Sequence, residues 1–107
     1  MSAHPVTAFK IMSAGEWRDF EAAGRFEGSP VDLEDGFIHL SAADQIDGTL
    51  ARHFAGRTDL MLVEIDLARL GAAVRWEPSR GGALFPHVYG RLPVAAVIAA
   101  RPLAPQA

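Results

Sequence analysis

The stretch DLMLVEID, residues 59–66, carries the strongest strand signal in the chain. Its apolar run is unbroken from residue 60 to residue 63, which is typical of a strand that is buried on both faces. A strand of this kind needs other elements to cover both of its faces. What the sequence encodes before and after it therefore decides the fold class.

Helical segments are predicted on the N-terminal side of this strand. Residues 6–12, VTAFKIM, predict a first strand, and the capping-box pattern S-x-x-E at Ser13 predicts that a helix begins there. Ser41 opens a second pattern of this form, which predicts a helix from about residue 42 to residue 54. The stretch between the two helices, residues 25–35, is rich in Gly, Pro and acidic residues and is predicted to be a loop.

Short strands are predicted on the C-terminal side. Their sequences are AVRWE, LFPHVYG, which is interrupted by proline, and PVAAVIAARPL, at residues 73–77, 84–90 and 93–103. Because helices come early and strands cluster late, the order favours an α+β fold over a doubly wound parallel sheet. The length of 107 residues predicts a single domain over residues 1–107.

The composition argues against several functional classes. The net charge is −3 and the Lys and Arg residues are scattered, so we expect no broad nucleic-acid-binding face. The absence of cysteine removes disulfides and thiolate nucleophiles. No apolar stretch approaches the roughly 20 residues that span a bilayer, and no secretory signal is visible, so we expect a cytoplasmic protein without a membrane partner.

The first candidate for a functional site is GFIHLS, residues 36–41. On an extended chain Phe37, His39 and Ser41 share one face. An imidazole and a hydroxyl placed two residues apart can both reach a small ligand, such as the ribose hydroxyls or the amide of a nucleotide cofactor. Two structural interpretations stay open: His39 as a core histidine bonded to a carbonyl or carboxylate, and Ser41 as a helix N-cap.

The segment FPHVYG offers the second candidate. It places His87 and Tyr89 on one face of a shaped loop or edge strand, which suits a pocket wall, although a structural tyrosine on an edge strand fits equally well. Glu77 precedes a Pro- and Gly-rich turn, a position that suits either a catalytic carboxylate or an ion pair at a strand end. His39, His53 and His87 lack the H-x-x-x-H spacing of a helical metal site, so no metal is expected.

Taken together, these motifs resemble those of a known family. The segments DGFIHLS, LMLVEIDLARL, RWEPSRGGALFPHVYG and LPVAAVI are similar to the bacterial and plant family known as domain of unknown function 952. The resemblance covers nearly the whole chain. It implies no activity, because the family has none to transfer.

The order of motifs also resembles, more remotely, the catalytic half of RNA 2′-phosphotransferases in the ADP-ribosyltransferase superfamily. IHLS is similar to a His-Leu-Ser strand, EID to the end of the next strand, and PSRGG lies near a Gly-rich turn. This resemblance implies a split antiparallel β core, two helices in the N-terminal half, and a cleft for NAD between two small sheets. Lys10 replaces the first-strand histidine that holds NAD, and Glu34 and Asp35 replace a basic residue, so RNA 2′-phosphotransfer is not expected.

The residues and the resemblance together predict a domain that binds NAD or a nucleotide-like small molecule, with ADP-ribosyl transfer or NAD-glycohydrolase-type activity. The expected catalytic residues are His39 and Glu77, and the expected cofactor-binding residues are Lys10, Ser41, His87 and Tyr89. Glu77 would stabilise a cationic sugar. Two alternatives stay open: a non-catalytic ligand-binding or protein-interaction module on the same fold, and a metal-dependent small hydrolase built on His39, His87 and a carboxylate. The sequence carries no signal for an oligomeric state.

Overall fold

Eight β-strands and three α-helices make up the part of the chain that the computed structural model describes, residues 4–105. The strands are β1 (Thr7–Ser13), β2 (Arg25–Phe26), β3 (Ile38–His39), β4 (Leu60–Asp66), β5 (Val74–Pro78), β6 (Leu84–Val88), β7 (Leu92–Pro93) and β8 (Val97–Pro102). The α-helices are α1 (Ala14–Ala23), α2 (Pro30–Asp35) and α3 (Ile46–His53). All three α-helices precede β4, one more than the two predicted for the N-terminal half. Every strand pair is antiparallel, which confirms the α+β class.

Strand β4 is the centre of the main sheet, which has the order β1-β4-β8. On one face of β4, Val63 and Ile65 are buried in the larger hydrophobic core, and on the other face Leu60 and Leu62 are buried in a smaller one. Each such side chain contributes about 1.5–3 kcal/mol when it is fully withdrawn from water. The prediction that this strand is buried on both faces is confirmed.

A second sheet has the order β3-β6-β5, and β2 pairs with β7 in a third. Strand β6 is therefore central in its sheet, and the interpretation of residues 84–90 as an edge strand is wrong. Pro86 has no N–H to donate to this sheet, but its carbonyl oxygen accepts the Leu40 N–H at 3.0 Å. Pairing on both sides fixes the direction of the side chains of β6.

The main and second sheets are joined next to β3. Phe9 of β1 and Ser41 exchange both backbone hydrogen bonds, each 2.8 Å long. This pair holds β1 beside the segment that follows β3. It thereby brings Lys10 of β1 close to His39 and Ser41.

Helix α1 begins as predicted. The Ser13 hydroxyl accepts the Glu16 N–H at 3.0 Å, and the Glu16 carboxylate accepts the Ser13 N–H at 2.8 Å, which completes the capping box. Gly24 ends the helix with a φ of 78°, in the left-handed region that glycine adopts without a steric penalty. None of the helices among residues 4–105 is both long enough and apolar enough to span a membrane.

The stretch of residues 25–35 is not a loop, contrary to the prediction, because it contains β2 and α2. Pro30 occupies the first turn of α2, where its missing N–H removes no helical hydrogen bond. The Asp32 carboxylate accepts the Ser29 N–H at 2.8 Å, which satisfies a backbone donor at the start of the helix. The order Ser-Pro-x-Asp was therefore a helix signal inside an acidic, Gly- and Pro-containing stretch.

The second predicted helix begins later than expected, and Ser41 is not its N-cap. A 3-10 turn, Ala43–Gln45, precedes α3, and the Gln45 side chain accepts the Ala42 N–H at 2.9 Å. The Ser41 hydroxyl instead makes a 2.9 Å hydrogen bond with the Thr49 hydroxyl of α3. The interpretation of Ser41 as a helix N-cap is therefore wrong, and its hydroxyl contacts Thr49 instead.

Candidate functional site

A cleft of about 710 Å³ lies where β1, β3 and β6 face α3. Its volume is within the range of roughly 300–1,000 Å³ that is typical of small-molecule sites. Four of the six residues predicted from the sequence line it: Lys10, His39, Ser41 and His87. The other two, Glu77 and Tyr89, are not among the described residues that line the cleft. Glu77 contacts the cleft residue His87, and Tyr89 contacts Glu77.

Asp32 is the centre of the hydrogen-bond network behind the cleft, with only 1% of its side chain exposed. Its Oδ1 accepts the His39 N–H at 3.1 Å and lies 2.6 Å from the His39 Nδ1. Its Oδ2 accepts from the Lys10 ammonium and from the Ser29 N–H, both at 2.8 Å. Burial alone would raise the pKa of Asp32, but the His39 hydrogen bond, the Lys10 charge and these donors together lower that pKa to about 2. The carboxylate is therefore charged at neutral pH.

Lys10 is a buried cation whose charge is balanced inside the protein. Its Nζ donates to the Asp32 carboxylate at 2.8 Å and to the His39 carbonyl oxygen at 3.2 Å. An ammonium group has three donors, and these contacts occupy two of them. The residue lines the cleft, but its first partner is Asp32 rather than open solvent.

His39 is held between two carboxylates. Its Nδ1 faces the buried Asp32, and its Nε2 lies 2.9 Å from an oxygen of Asp35, the last residue of α2. The side chain of His39 is 32% exposed and that of Asp35 is 44% exposed. The Asp32 side of the imidazole is therefore fixed by buried contacts, whereas the Nε2 side opens toward the cleft and solvent.

His87 lies directly opposite His39 in the pairing of β3 with β6, with the two rings 5.5 Å apart between centroids. Its Nδ1 is 2.7 Å from an oxygen of Glu77, and the same oxygen accepts the Tyr89 hydroxyl at 2.7 Å. The Phe37 ring stacks on the His87 ring, with 4.1 Å between the two centroids. These contacts fix the buried imidazole of His87 against the wall of the cleft.

The contact between Glu77 and Tyr89 shifts both acid–base equilibria. The hydrogen bond from Tyr89, followed by that from His87, lowers the pKa of Glu77. The same hydrogen bond raises the pKa of Tyr89 from its ordinary value of 10.0, because losing the proton would place two negative charges together. Glu77 is therefore a charged group that positions His87 and Tyr89 from outside the cleft.

Comparison with known proteins gives the family. Residues 11–100 match the family model described as protein of unknown function (DUF952). The chain belongs to this family. The expected resemblance to domain of unknown function 952 is thereby confirmed.

Solved structures similar to this DUF952 chain come from protein CC0527 of Caulobacter crescentus. Its crystal structure is 46% identical, with 94% of this chain and 93% of that chain covered and a TM-score of 0.88. Its solution NMR structure is 47% identical, covers 94% of this chain and 86% of that chain, and has a TM-score of 0.83. No curated protein matches the chain.

Three polar residues of this DUF952 chain bear on the cleft without having been identified from its sequence: Asp32, Thr49 and Arg80. Asp32 lies in the stretch that was predicted to be a loop. The helix-start pattern Ser-Pro-x-Asp could have distinguished it from the exposed acidic residues of that stretch. Thr49 is recognised only through its partner Ser41. Arg80 had a weak signal, as the one cation of the Gly-rich turn after β5.

Among residues 4–105, no group of three or more His, Asp and Glu side chains has an arrangement that could hold a metal ion.

Proposed function

We propose that the cleft binds a nucleotide-like small molecule of the NAD type, with His39 contacting the hydroxyl groups of the ligand. The observation that carries this proposal is the convergence of Lys10, His39, Ser41 and His87 on one cleft of about 710 Å³. These side chains come from β1, β3, the segment after β3, and β6. A pocket with a few convergent polar groups on rigid strands is the usual form of a small-molecule site.

The His39 imidazole supports this role through its asymmetric surroundings. Once a ligand hydroxyl displaces the Asp35 carboxylate from Nε2, a neutral imidazole with its proton on Nδ1 donates to the buried Asp32 carboxylate and presents Nε2 as an acceptor on the cleft side. The Asp35 carboxylate that faces Nε2 is exposed, so a ligand hydroxyl can take its place at little cost. A carboxylate that orients a histidine in this way is a common device for fixing its tautomer.

The ADP-ribosyltransferase-like relationship is part of the same proposal. It is supported by the two antiparallel three-stranded sheets joined beside the cleft, and by His39 and Ser41 lying at that junction. On such a scaffold the expected ligand is NAD, bound as a substrate without a metal. The remote resemblance and the arrangement of the sheets both support this relationship. Binding measurements identify the ligand.

Cleavage of the ligand is a second candidate function, and Asp35 is the observation that favours it. The bond from the ribose C1′ to the nicotinamide nitrogen would break with its electron pair on nicotinamide, leaving a cationic sugar that a carboxylate stabilises. Water or an acceptor hydroxyl would then form the C1′–O bond and give its proton to His39 Nε2. Asp35 lines the cleft, whereas Glu77 acts on it through His87.

Isothermal titration calorimetry with NAD, ADP-ribose and nicotinamide tests the binding proposal. We expect NAD or ADP-ribose to bind the wild-type protein and the variant His39→Ala to bind at least about tenfold more weakly, because a hydrogen bond to the ligand is lost. Arg69→Ala is the matched control, since Arg69 is exposed and faces Asp66 rather than the cleft. Equal affinity in folded His39→Ala, or no binding to the wild type, would overturn the proposal.

The same samples separate the two candidate functions. Chromatography of the NAD mixture after incubation shows whether nicotinamide is released. Release that is lost in His39→Ala supports cleavage or transfer. Binding without release supports the non-catalytic ligand-binding module.

A further inference from the structure

The cleft has a second group of polar side chains, at the end that α3 shares with the turn after β5. Arg80 begins the 3-10 turn Arg80–Gly82, and its guanidinium lies over the Phe85 ring, with 5.1 Å between the Arg80 Cζ and the ring centroid. Stacking of this kind holds a planar cation in place while its edge stays available for hydrogen bonds. Arg80 and Phe85 both line the cleft.

Gly48 of α3 provides the space for this guanidinium. A Cβ atom built on Gly48 would lie only 3.2 Å from an Arg80 Nη2, closer than most such contacts in proteins. Glycine in the interior of a helix costs about 1 kcal/mol relative to alanine. The position is not in the left-handed region, so the turn geometry does not require glycine there. What the missing side chain accommodates is the guanidinium of Arg80.

Arg80 lies in this position without a counter-charge. Among residues 4–105 no carboxylate is within 4.0 Å of the Arg80 guanidinium. The same holds for four other arginines of this part of the chain, but Arg80 alone of the five lines the cleft. The other four are Arg18, Arg52, Arg75 and Arg101. Arg57 also lines this part of the cleft, and its pairing with Asp59 is solvent-exposed, which makes that pair weak. Of the two arginines at this end, Arg57 has a weak ion pair and Arg80 has none among the described residues.

His53 reports the resulting electrostatic field. It is the last residue of α3 and it lines the cleft. Burial lowers the pKa of His53 first, and the positive charges of Arg80 and Arg52 lower it further. Burial disfavours a charge of either sign, whereas the positive charges of Arg80 and Arg52 disfavour a cation and favour an anion at this place.

We propose that this end of the cleft, with Arg80 as its main contact, is a subsite for the phosphate groups of the ligand. The proposal rests on the proposed binding of a nucleotide-like molecule and adds which part of the ligand lies where. Arginine binds phosphate through paired, charge-assisted hydrogen bonds, and the hydroxyls of Ser41 and Thr49 also line the cleft. A pyrophosphate at Arg80 would leave the sugar hydroxyls toward His39.

Calorimetric titration with inorganic pyrophosphate, ADP-ribose and adenosine tests the subsite. We expect Arg80→Ala to weaken binding of pyrophosphate and of ADP-ribose by about ten- to a hundredfold, the usual range for a hydrogen bond to a charged group. Adenosine, which carries no phosphate, should bind wild type and Arg80→Ala equally. The variant Gly48→Ala keeps the charge but crowds the guanidinium, so it should weaken pyrophosphate binding less than Arg80→Ala does. Arg69→Ala should match the wild type.

The outcomes separate this inference from the proposed function. If ADP-ribose binding needs His39 but is unchanged in Arg80→Ala, the proposed function stands and the phosphate subsite is overturned. If pyrophosphate binds through Arg80 while NAD and ADP-ribose do not bind, the subsite stands and the NAD-type function fails. A wild-type protein that binds neither pyrophosphate nor ADP-ribose overturns the subsite as well.

Discussion

His39 and His87 face each other on paired strands, and each presents its Nδ1 to a carboxylate, yet the two pairs have opposite burial. In the first pair the carboxylate of Asp32 is buried at 1% exposure, and the imidazole is 32% exposed. In the second pair the imidazole of His87 is 6% exposed, and the carboxylate of Glu77 is 32% exposed. A buried charge is unfavourable without partners, whereas an exposed one keeps its hydration. We therefore expect loss of the Asp32 charge to lower the free energy of unfolding more than loss of the Glu77 charge does.

The largest expected effect comes from neutralising the buried carboxylate. Asp32→Asn leaves the Lys10 ammonium buried without a counter-charge, so we expect a loss of roughly 3–5 kcal/mol in the free energy of unfolding. Urea unfolding at neutral pH measures it. Asp35→Asn is the matched control, because Asp35 contacts the same imidazole from an exposed position and should cost at most about 1 kcal/mol. Equal losses in the two variants would contradict the assigned difference.

A smaller effect is expected from acid. Asp32 has a pKa of about 2 in the folded protein and an ordinary value of 3.8, so on acidification the unfolded chain takes up this proton first. The carboxylate then contributes about 2 kcal/mol of stability above pH ~4, which is lost as the pH falls toward about 2. The carboxyl carbon resonance of Asp32, followed by NMR against pH, gives the folded value directly. A midpoint near 3.8 would show that the network does not favour the charged form.

Local features of the fold could be predicted from the sequence, but the Asp32 cluster could not. The Ser13 capping box and the apolar run of β4 were read correctly because both partners, or the whole pattern, lie within a few residues. Asp32 was missed because its partners are Lys10, 22 residues earlier, and the His39 ring, seven residues later. No local spacing encodes such a cluster. Only the packing of α2 against β1 and β3 brings its members together.

The candidate site follows the same division. His39 and Ser41 could be placed together from the sequence, since residues two apart on an extended chain share a face. That His87 lies opposite His39 depends on the register of β3 against β6, which pairs residues 48 positions apart. Glu77 was predicted to be either a catalytic carboxylate or a partner in an ion pair at a strand end, and in the structure it contacts His87 and Tyr89. Its contact with His87 depends on a different register, that of β5 against β6, in which Glu77 pairs with Phe85.

The smallest expected effect lies in the Glu77 pair and is spectroscopic. Tyr89 is the single tyrosine of the chain, so ultraviolet absorbance of tyrosinate reports on it alone. Its hydroxyl donates to Glu77, which raises its pKa above 10.0. Glu77→Gln keeps an acceptor but removes the charge, so the tyrosine should titrate closer to 10.0, with far less loss of stability than in Asp32→Asn.

Glu21→Gln, which neutralises an exposed carboxylate of α1, is the control for that titration. If the midpoint moves only in Glu77→Gln, the charge of Glu77 acts on Tyr89 across their hydrogen bond. Because the same oxygen contacts His87, that charge then also acts on the imidazole in the cleft wall. An unchanged midpoint would mean that solvent screens Glu77 from Tyr89. The two pairs would then differ in kind, with Asp32 alone holding its histidine by charge.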